Sequence, residues 1–141
     1  EPITKFALAH AEIAPFVRIH EFTAQALGND SYHLRAVIHN DGYLPTYGSH
    51  KGKERKATKP LEARLILPDG ASVVTGDPKH EIGHLEGRSS RMTFFGASSG
   101  STTDRTKTEW VVRAPAGSII ELTVSGGRGG IARASIELNV A

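Results

Sequence analysis

Residues 109–138 decide the fold class, and they read EWVVRAPAGSIIELTVSGGRGGIARASIEL. Apolar and polar residues alternate along this stretch, and turn-forming residues interrupt it at 114–117 and 126–130. Alternation with a period of two is typical of strands that have one buried face. The residues predicted to face a core are Trp110, Val112, Ile120, Leu122, Val124, Ala132, Ala134, Ile136, Leu138 and Val140.

The same alternation recurs upstream, in residues 16–27, 32–38 and 61–67. Residues 68–70 are turn-forming and lead into 72–75, which predicts a hairpin there. Asn40, Asp41 and Gly42 tolerate left-handed backbone angles and are predicted to end the second strand. Together the pattern predicts an immunoglobulin- or fibronectin-like antiparallel β-sandwich of seven to eight strands, with Trp110 at the centre of its core.

Composition limits the possible partners. The chain has 141 residues and a formal charge of +2, from 17 basic and 15 acidic side chains. We expect neither a nucleic-acid nor a membrane partner, because this balance is nearly even. The sequence contains no cysteine, which excludes disulfides and thiolate metal sites.

Residues 1–14 have a loosely helical apolar pattern that Pro15 ends. The sequence therefore predicts a short N-terminal helix over 1–14 and a sandwich domain over 15–141. Two interpretations of the helix are open. Either its apolar side packs on this domain, or the helix is a connector that packs on a preceding domain of a larger protein.

Two further stretches are predicted to be loops. Residues 51–59 carry five lysines and arginines and are interpreted as a solvated basic segment. Residues 88–108 are rich in Ser, Thr and Gly, and Met92, Phe94 and Phe95 are expected to anchor them to the sandwich. The glycine-rich stretch 126–130 is predicted to be a hairpin turn rather than a phosphate-binding loop, because a strand and not a helix follows it.

The stretch His80-Glu81-Ile82-Gly83-His84 matches the metalloprotease pattern H-E-x-x-H. That chemistry needs a helix, because only there do histidines four apart lie close enough to share one zinc. Pro78, Gly83 and Gly87 argue against a helix, so we expect an extended segment. A small zinc metalloprotease that uses His80, Glu81 and His84 remains an alternative. His20, His33 and His39 are interpreted as surface or hydrogen-bonded residues.

Several stretches together resemble the C-terminal region of bacterial M14-family zinc carboxypeptidases. Residues 34–47, which end in Asn-Asp-Gly-Tyr-Leu-Pro-Thr-Tyr, are similar to the stretch V-x-N-x-G-[FYW]-L-P-[TS]-Y of that region. Residues 67–71, 81–88 and 109–117 are further similar stretches, in the same order and at similar spacing. The resemblance covers nearly the whole chain.

The resemblance implies a β-sandwich that follows a peptidase domain. It also implies that residues 1–14 are the connector from that domain, and that 81–88 carry no zinc. The M14 zinc site uses a His-x-x-Glu pair, which occurs nowhere in this chain. The chain is therefore expected to be non-catalytic and without a cofactor of its own, with zinc held in the catalytic domain of the parent protein.

The expected partner is the upstream peptidase domain of the same polypeptide, and the expected location is the cytoplasm. Tyr43, Leu44, Pro45 and Tyr47 are predicted to form an interdomain or partner contact, because such side chains are costly to leave exposed together. A stand-alone sandwich that binds carbohydrate or protein is the other alternative function.

Overall fold

The computed structural model describes residues 2–91 and 103–139. Within these two ranges, helix α1 precedes eight strands, and a second short helix, α2, and a 3-10 helix lie in connecting segments. The helices are α1 (Pro2–Ile13), α2 (His50–Glu54) and the 3-10 helix (Arg88–Arg91). The strands are β1 (Val17–Gly28), β2 (Ser31–Asn40), β3 (Leu61–Ile66), β4 (Ser72–Thr75), β5 (Lys79–Gly83), β6 (Arg105–Arg113), β7 (Ile119–Ser125) and β8 (Ile131–Glu137).

The strands form two four-stranded antiparallel sheets. The first has the order β1-β2-β6-β4 and the second has the order β5-β3-β7-β8. Strands β1, β2 and β6 occupy the positions of A, B and E in an immunoglobulin sandwich, and β3, β7 and β8 those of C, F and G. The predicted fold class, an immunoglobulin-like β-sandwich with a short N-terminal helix, is confirmed.

The core lies between the inner faces of the two sheets. Its largest contributions come from alternate residues of β2, β3, β6 and β7, which are almost completely buried. These residues are Tyr32, Leu34, Ala36, Ile38, Leu61, Ala63, Leu65, Trp110, Val112, Ile120, Leu122 and Val124. On the edge strand β8, Ala132, Ala134 and Ile136 are only half-buried, because an edge strand has a neighbour on one side alone.

The predicted hairpin between β3 and β4 is wrong. β4 pairs with β6 in the first sheet, with Val73 opposite Val112, and β5 returns to pair with β3. A turn sequence indicates that the chain reverses direction, but it does not specify with which strand the following strand pairs. The indole Nε1 of Trp110 donates to the carbonyl oxygen of Asp77 at 2.8 Å, in the segment between β4 and β5.

The basic segment 51–59 is solvent-exposed over its five cationic residues, as predicted, although the sequence did not indicate helix α2 within it. Met92, Phe94 and Phe95 lie outside the described residues, as does Val140. Among the described helices, none combines the length and the apolar character needed to cross a bilayer.

Candidate functional site at the N-terminal junction

Asn40, the last residue of β2, holds three segments of the chain together. Its side chain is completely buried. The amide oxygen accepts hydrogen bonds from the backbone N–H groups of Phe16 at 2.9 Å and Gly42 at 3.0 Å. The amide nitrogen donates to the carbonyl oxygens of Leu44 at 2.9 Å and Glu86 at 3.1 Å. Two donated and two accepted bonds use the full capacity of this amide.

Backbone hydrogen bonds connect the same segments directly. The N–H of Leu44 donates to the carbonyl of Ile13, the last residue of α1, at 3.0 Å. The N–H of Thr46 donates to Leu85, and that of Ser89 to Tyr43, both at 2.9 Å. We call residues 13–16, 40–47 and 84–89 the junction. It attaches the C-terminal end of α1 to the sandwich through fixed backbone contacts.

Two glycines allow these segments to approach each other. A Cβ atom on Gly42 would overlap the carbonyl oxygen of Ala14, and one on Gly87 would overlap the carbonyl oxygens of Tyr43 and Leu44. Residues 40–42 end β2 as predicted, although none of the three adopts the positive φ that Asn, Asp and Gly tolerate. Gly42 is required by close packing of backbone rather than by its conformational freedom.

Thr46 and Tyr47 close the junction from the side of residues 84–87. The hydroxyl of Thr46 accepts from the N–H of Leu85 at 3.0 Å. The phenol oxygen of Tyr47 lies 2.9 and 3.0 Å from the two carboxylate oxygens of Glu86, to which it donates its hydrogen. Burial and the neighbouring Glu86 carboxylate raise the pKa of Tyr47 from 10.0 to about 12. Tyr47 is thus a neutral donor throughout the physiological pH range.

Most of the predicted contact surface is buried or half-buried within this domain. Pro45 and Tyr47 are buried inside this domain, and Leu44 is half-buried. The prediction depended on the free-energy cost of exposing these side chains to water. Their burial within this domain already removes that cost. Of the four predicted residues only Tyr43 is exposed, with 37% of its surface accessible, and its contact with another domain stays a prediction.

Helix α1 has an apolar face that the described part of the chain leaves largely exposed, except at its C-terminal end, where Ile13 is 37% exposed. Ile3, Phe6, His10 and Ile13 are three or four residues apart and therefore share one side of the helix. Ile3 is 82% exposed and Phe6 is 66% exposed. No residue of the helix is buried. The interpretation that α1 packs its apolar side on this domain is therefore wrong.

The H-E-x-x-H stretch is extended, as predicted. Residues 80–83 belong to β5, and the side chains of His80 and Glu81 are exposed. The helix that metalloprotease chemistry needs is not formed. His84 follows the strand and contacts the junction, with its Nδ1 3.3 Å from the hydroxyl of Thr46. Within residues 2–91 and 103–139, no three His, Asp or Glu side chains are grouped to hold a metal ion.

Sequence reasoning missed two long-range contacts. The Asn40–Glu86 bond joins residues on different sides of the junction, and the Nε2 of His39 lies 2.8 Å from a carboxylate oxygen of Asp104. His39 is thus a hydrogen-bonded residue, consistent with one of its two interpretations. The only local signal for Asn40 was its place in the N-x-G pattern, which does not indicate its partners.

Residues 16–137, the sandwich and most of the junction, match the family model described as "Domain of unknown function (DUF8731)". The chain belongs to this family. The match begins after helix α1. The description of DUF8731 states no activity, so the resemblance to M14 carboxypeptidases stays a prediction.

A solved structure is similar to this DUF8731 chain, the GAE domain of GGA2p from Saccharomyces cerevisiae. The sequences are 11% identical, the TM-score is 0.47, and the similarity covers 92% of this chain and 90% of that chain. No curated protein matches the sequence.

Proposed function

We propose that this DUF8731 domain is a non-catalytic accessory module that docks on the catalytic domain of an M14-type zinc carboxypeptidase. The parent protein would remove residues from the C-termini of peptides, with its zinc held in the preceding domain. The observation that carries the proposal is the uncovered apolar face of α1 on a helix whose end is fixed by the junction. The sequence resemblance supplies the identity of the partner.

The exposed face has the chemistry of a docking surface. Ile3, Phe6 and Ile13 present large apolar side chains in one row, and His10 stacks beside Phe6 with ring centroids 4.2 Å apart. Full burial of an Ile or Phe side chain contributes about 1.5–3 kcal/mol. A partner that covers this row would gain binding energy without first having to order the helix end, because Ile13 is already hydrogen-bonded to Leu44.

The motif residues fit a supporting role in such a module. Asn40, Gly42, Thr46, Tyr47 and Gly87 all have partners or close neighbours inside the domain. They hold the helix end in one orientation, which is what a module needs if it is to meet a neighbouring domain with fixed geometry. Of the stretches that resemble the carboxypeptidase tail, those within residues 40–47 and 81–88 meet in the junction and are interpreted as holding the helix end.

The complete gene product provides the test, with two matched variants. Phe6→Asp places a charge on the apolar face, and Leu8→Asp places the same charge on the opposite side, at a residue of similar exposure (66% and 61%). In the complete protein we expect Phe6→Asp to lower the unfolding midpoint of the peptidase domain by about 3–8 °C. Leu8→Asp should leave it within about 1 °C.

Two results would contradict the proposal. The first is a complete gene product that binds no zinc and releases no C-terminal amino acids from peptides. The second is an equal effect of the two substitutions in the complete protein. Both variants should melt alike in the isolated chain, which controls for effects on the helix itself.

A further inference from the structure

A second candidate site is a groove between the outer strands of the two sheets, which begins at Phe16 and Asp41 beside the junction. β1 is the outer strand of the first sheet and β8 is the outer strand of the second, and the two run close to each other. The groove between them has a volume of about 520 Å³. Its main side chains are Phe16, Arg18, His20, His39, Ile131 and Arg133. We call it the β1–β8 groove.

A β-bulge directs a side chain into this groove. The pairing of β1 with β2 shifts between Ile19 and Glu21, so His20 is an extra residue without a partner on β2. Its ring meets that of His39 edge to face, with centroids 6.4 Å apart. Bulges often occur where a side chain is turned toward a binding site, and they do so at some cost in regular pairing.

The charge of the groove is predominantly positive. Asp41 is the only acid among its described lining residues. It already binds the guanidinium of Arg18 at 3.3 Å and the Nδ1 of His39 at 2.8 Å. Across the groove, Arg133 makes no salt bridge with any residue in the described part of the chain. A guanidinium without an acidic partner attracts carboxylates and steers them to its surface.

Large apolar side chains stand next to these cations. Phe16 is 54% exposed and Ile131 is 63% exposed. The guanidinium of Arg18 lies 5.3 Å from the centroid of the Phe16 ring. A small inorganic anion would leave these apolar surfaces in water, whereas a peptide can present a carboxylate and an apolar side chain together.

We infer that the β1–β8 groove binds an acidic peptide segment. An Asp or Glu carboxylate of the ligand pairs with Arg133, and a neighbouring apolar side chain covers Ile131 and Phe16. His20 and His39 line the same groove. This interaction is separate from docking through α1 and does not depend on the identity of the parent protein.

Fluorescence anisotropy with a labelled hexapeptide of alternating Leu and Glu tests the inference on the chain as it is. We expect the peptide to bind, and a peptide of alternating Leu and Lys not to bind. Arg133→Glu should weaken binding at least tenfold and Arg133→Gln about threefold, because the first reverses a charge and the second removes it. Ile131→Ser should weaken binding about threefold through the loss of apolar contact.

Arg113→Glu is the matched control, since Arg113 is an exposed arginine on β6 that does not line the groove. It should change the affinity less than twofold. Equal losses with Arg133→Glu and Arg113→Glu would overturn the inference, because they would indicate attraction to overall charge. Absence of binding at millimolar peptide would overturn it as well. Competition by inorganic phosphate as strong as by unlabelled peptide would also do so, because it would indicate a simple anion site.

Discussion

The junction and helix α1 meet at Ile13, yet they differ in burial and in hydrogen bonding to the rest of the domain. In the junction the buried Asn40 amide makes four hydrogen bonds, and two glycines allow backbone to touch backbone. The helix, twelve residues long, buries none of its side chains. An isolated helix of this length is marginal in water, because packing supplies most of the stability of protein helices. The contrast is thus between a helix end that is hydrogen-bonded to the sandwich and a helix that buries none of its residues.

The largest expected effect is on the junction. Asn40→Ala removes the four hydrogen bonds that the amide makes with backbone groups of Phe16, Gly42, Leu44 and Glu86, among them the one to the buried N–H of Gly42. Each unsatisfied buried group costs about 1–3 kcal/mol, so the free energy of unfolding should fall by about 3–5 kcal/mol. Urea denaturation measures this. Asn139→Ala, at an exposed position, is the control and should change it by less than about 0.5 kcal/mol; similar values for both would mean that the Asn40 network contributes little.

A smaller effect is expected from Tyr47→Phe, which removes only the hydroxyl that binds Glu86. The loss of a hydrogen bond to a charged group should lower the free energy of unfolding by about 1–3 kcal/mol near neutral pH. The pKa of Tyr47 is raised in the folded state, from 10.0 to about 12. Its contribution is therefore complete below pH 10 and is lost as the pH rises toward 12.

Ultraviolet titration of the phenolates gives the second measurement on Tyr47. One of the three tyrosines should ionise near pH 12 in the chain without substitutions, and that step should be missing in Tyr47→Phe. Above this pH the two proteins should approach the same stability. A Tyr47→Phe variant with an unchanged titration would show that the raised pKa belongs elsewhere.

The smallest effect should come from removing the helix. A chain that starts at residue 13 should unfold within about 1 kcal/mol of the full chain, because α1 has no buried side chain. Hydrogen exchange sharpens the comparison: amides of α1 should exchange fast in the isolated chain, while those of β2 are protected. A loss of several kcal/mol on truncation would mean that the helix stabilises the sandwich after all.

Local periodicity was enough to predict most of the sandwich. Alternate apolar residues of β2 and β7 are fully buried, as predicted, because one side of each strand must face the core. The 126–130 turn joins β7 to β8, and the helix was found within its predicted range. Each of these features depends on residues that are close together in the sequence.

The remaining features depend on residues that are far apart, and the sequence did not reveal them. The 72–75 strand was assigned to the wrong neighbour, because nothing in its four residues distinguishes β3 from β6 as a partner. The partner of the Tyr47 hydroxyl, Glu86, is 39 positions away, so the sequence around Tyr47 does not indicate that its side chain is buried. His39 and Asp104 are 65 positions apart. Such pairings depend on the order of the strands in the two sheets. The alternation of apolar and polar residues along a strand does not determine that order.

The crossing of β4 has a mechanical consequence for the whole sandwich. Within residues 67–78 the chain leaves the second sheet, adds a strand to the first and returns. The Trp110 indole ties this excursion to the core through Asp77. This segment therefore connects the two sheets along one edge, so we expect neither sheet to unfold while the other stays folded. We expect the domain to rupture in a single step under load, without a half-open state.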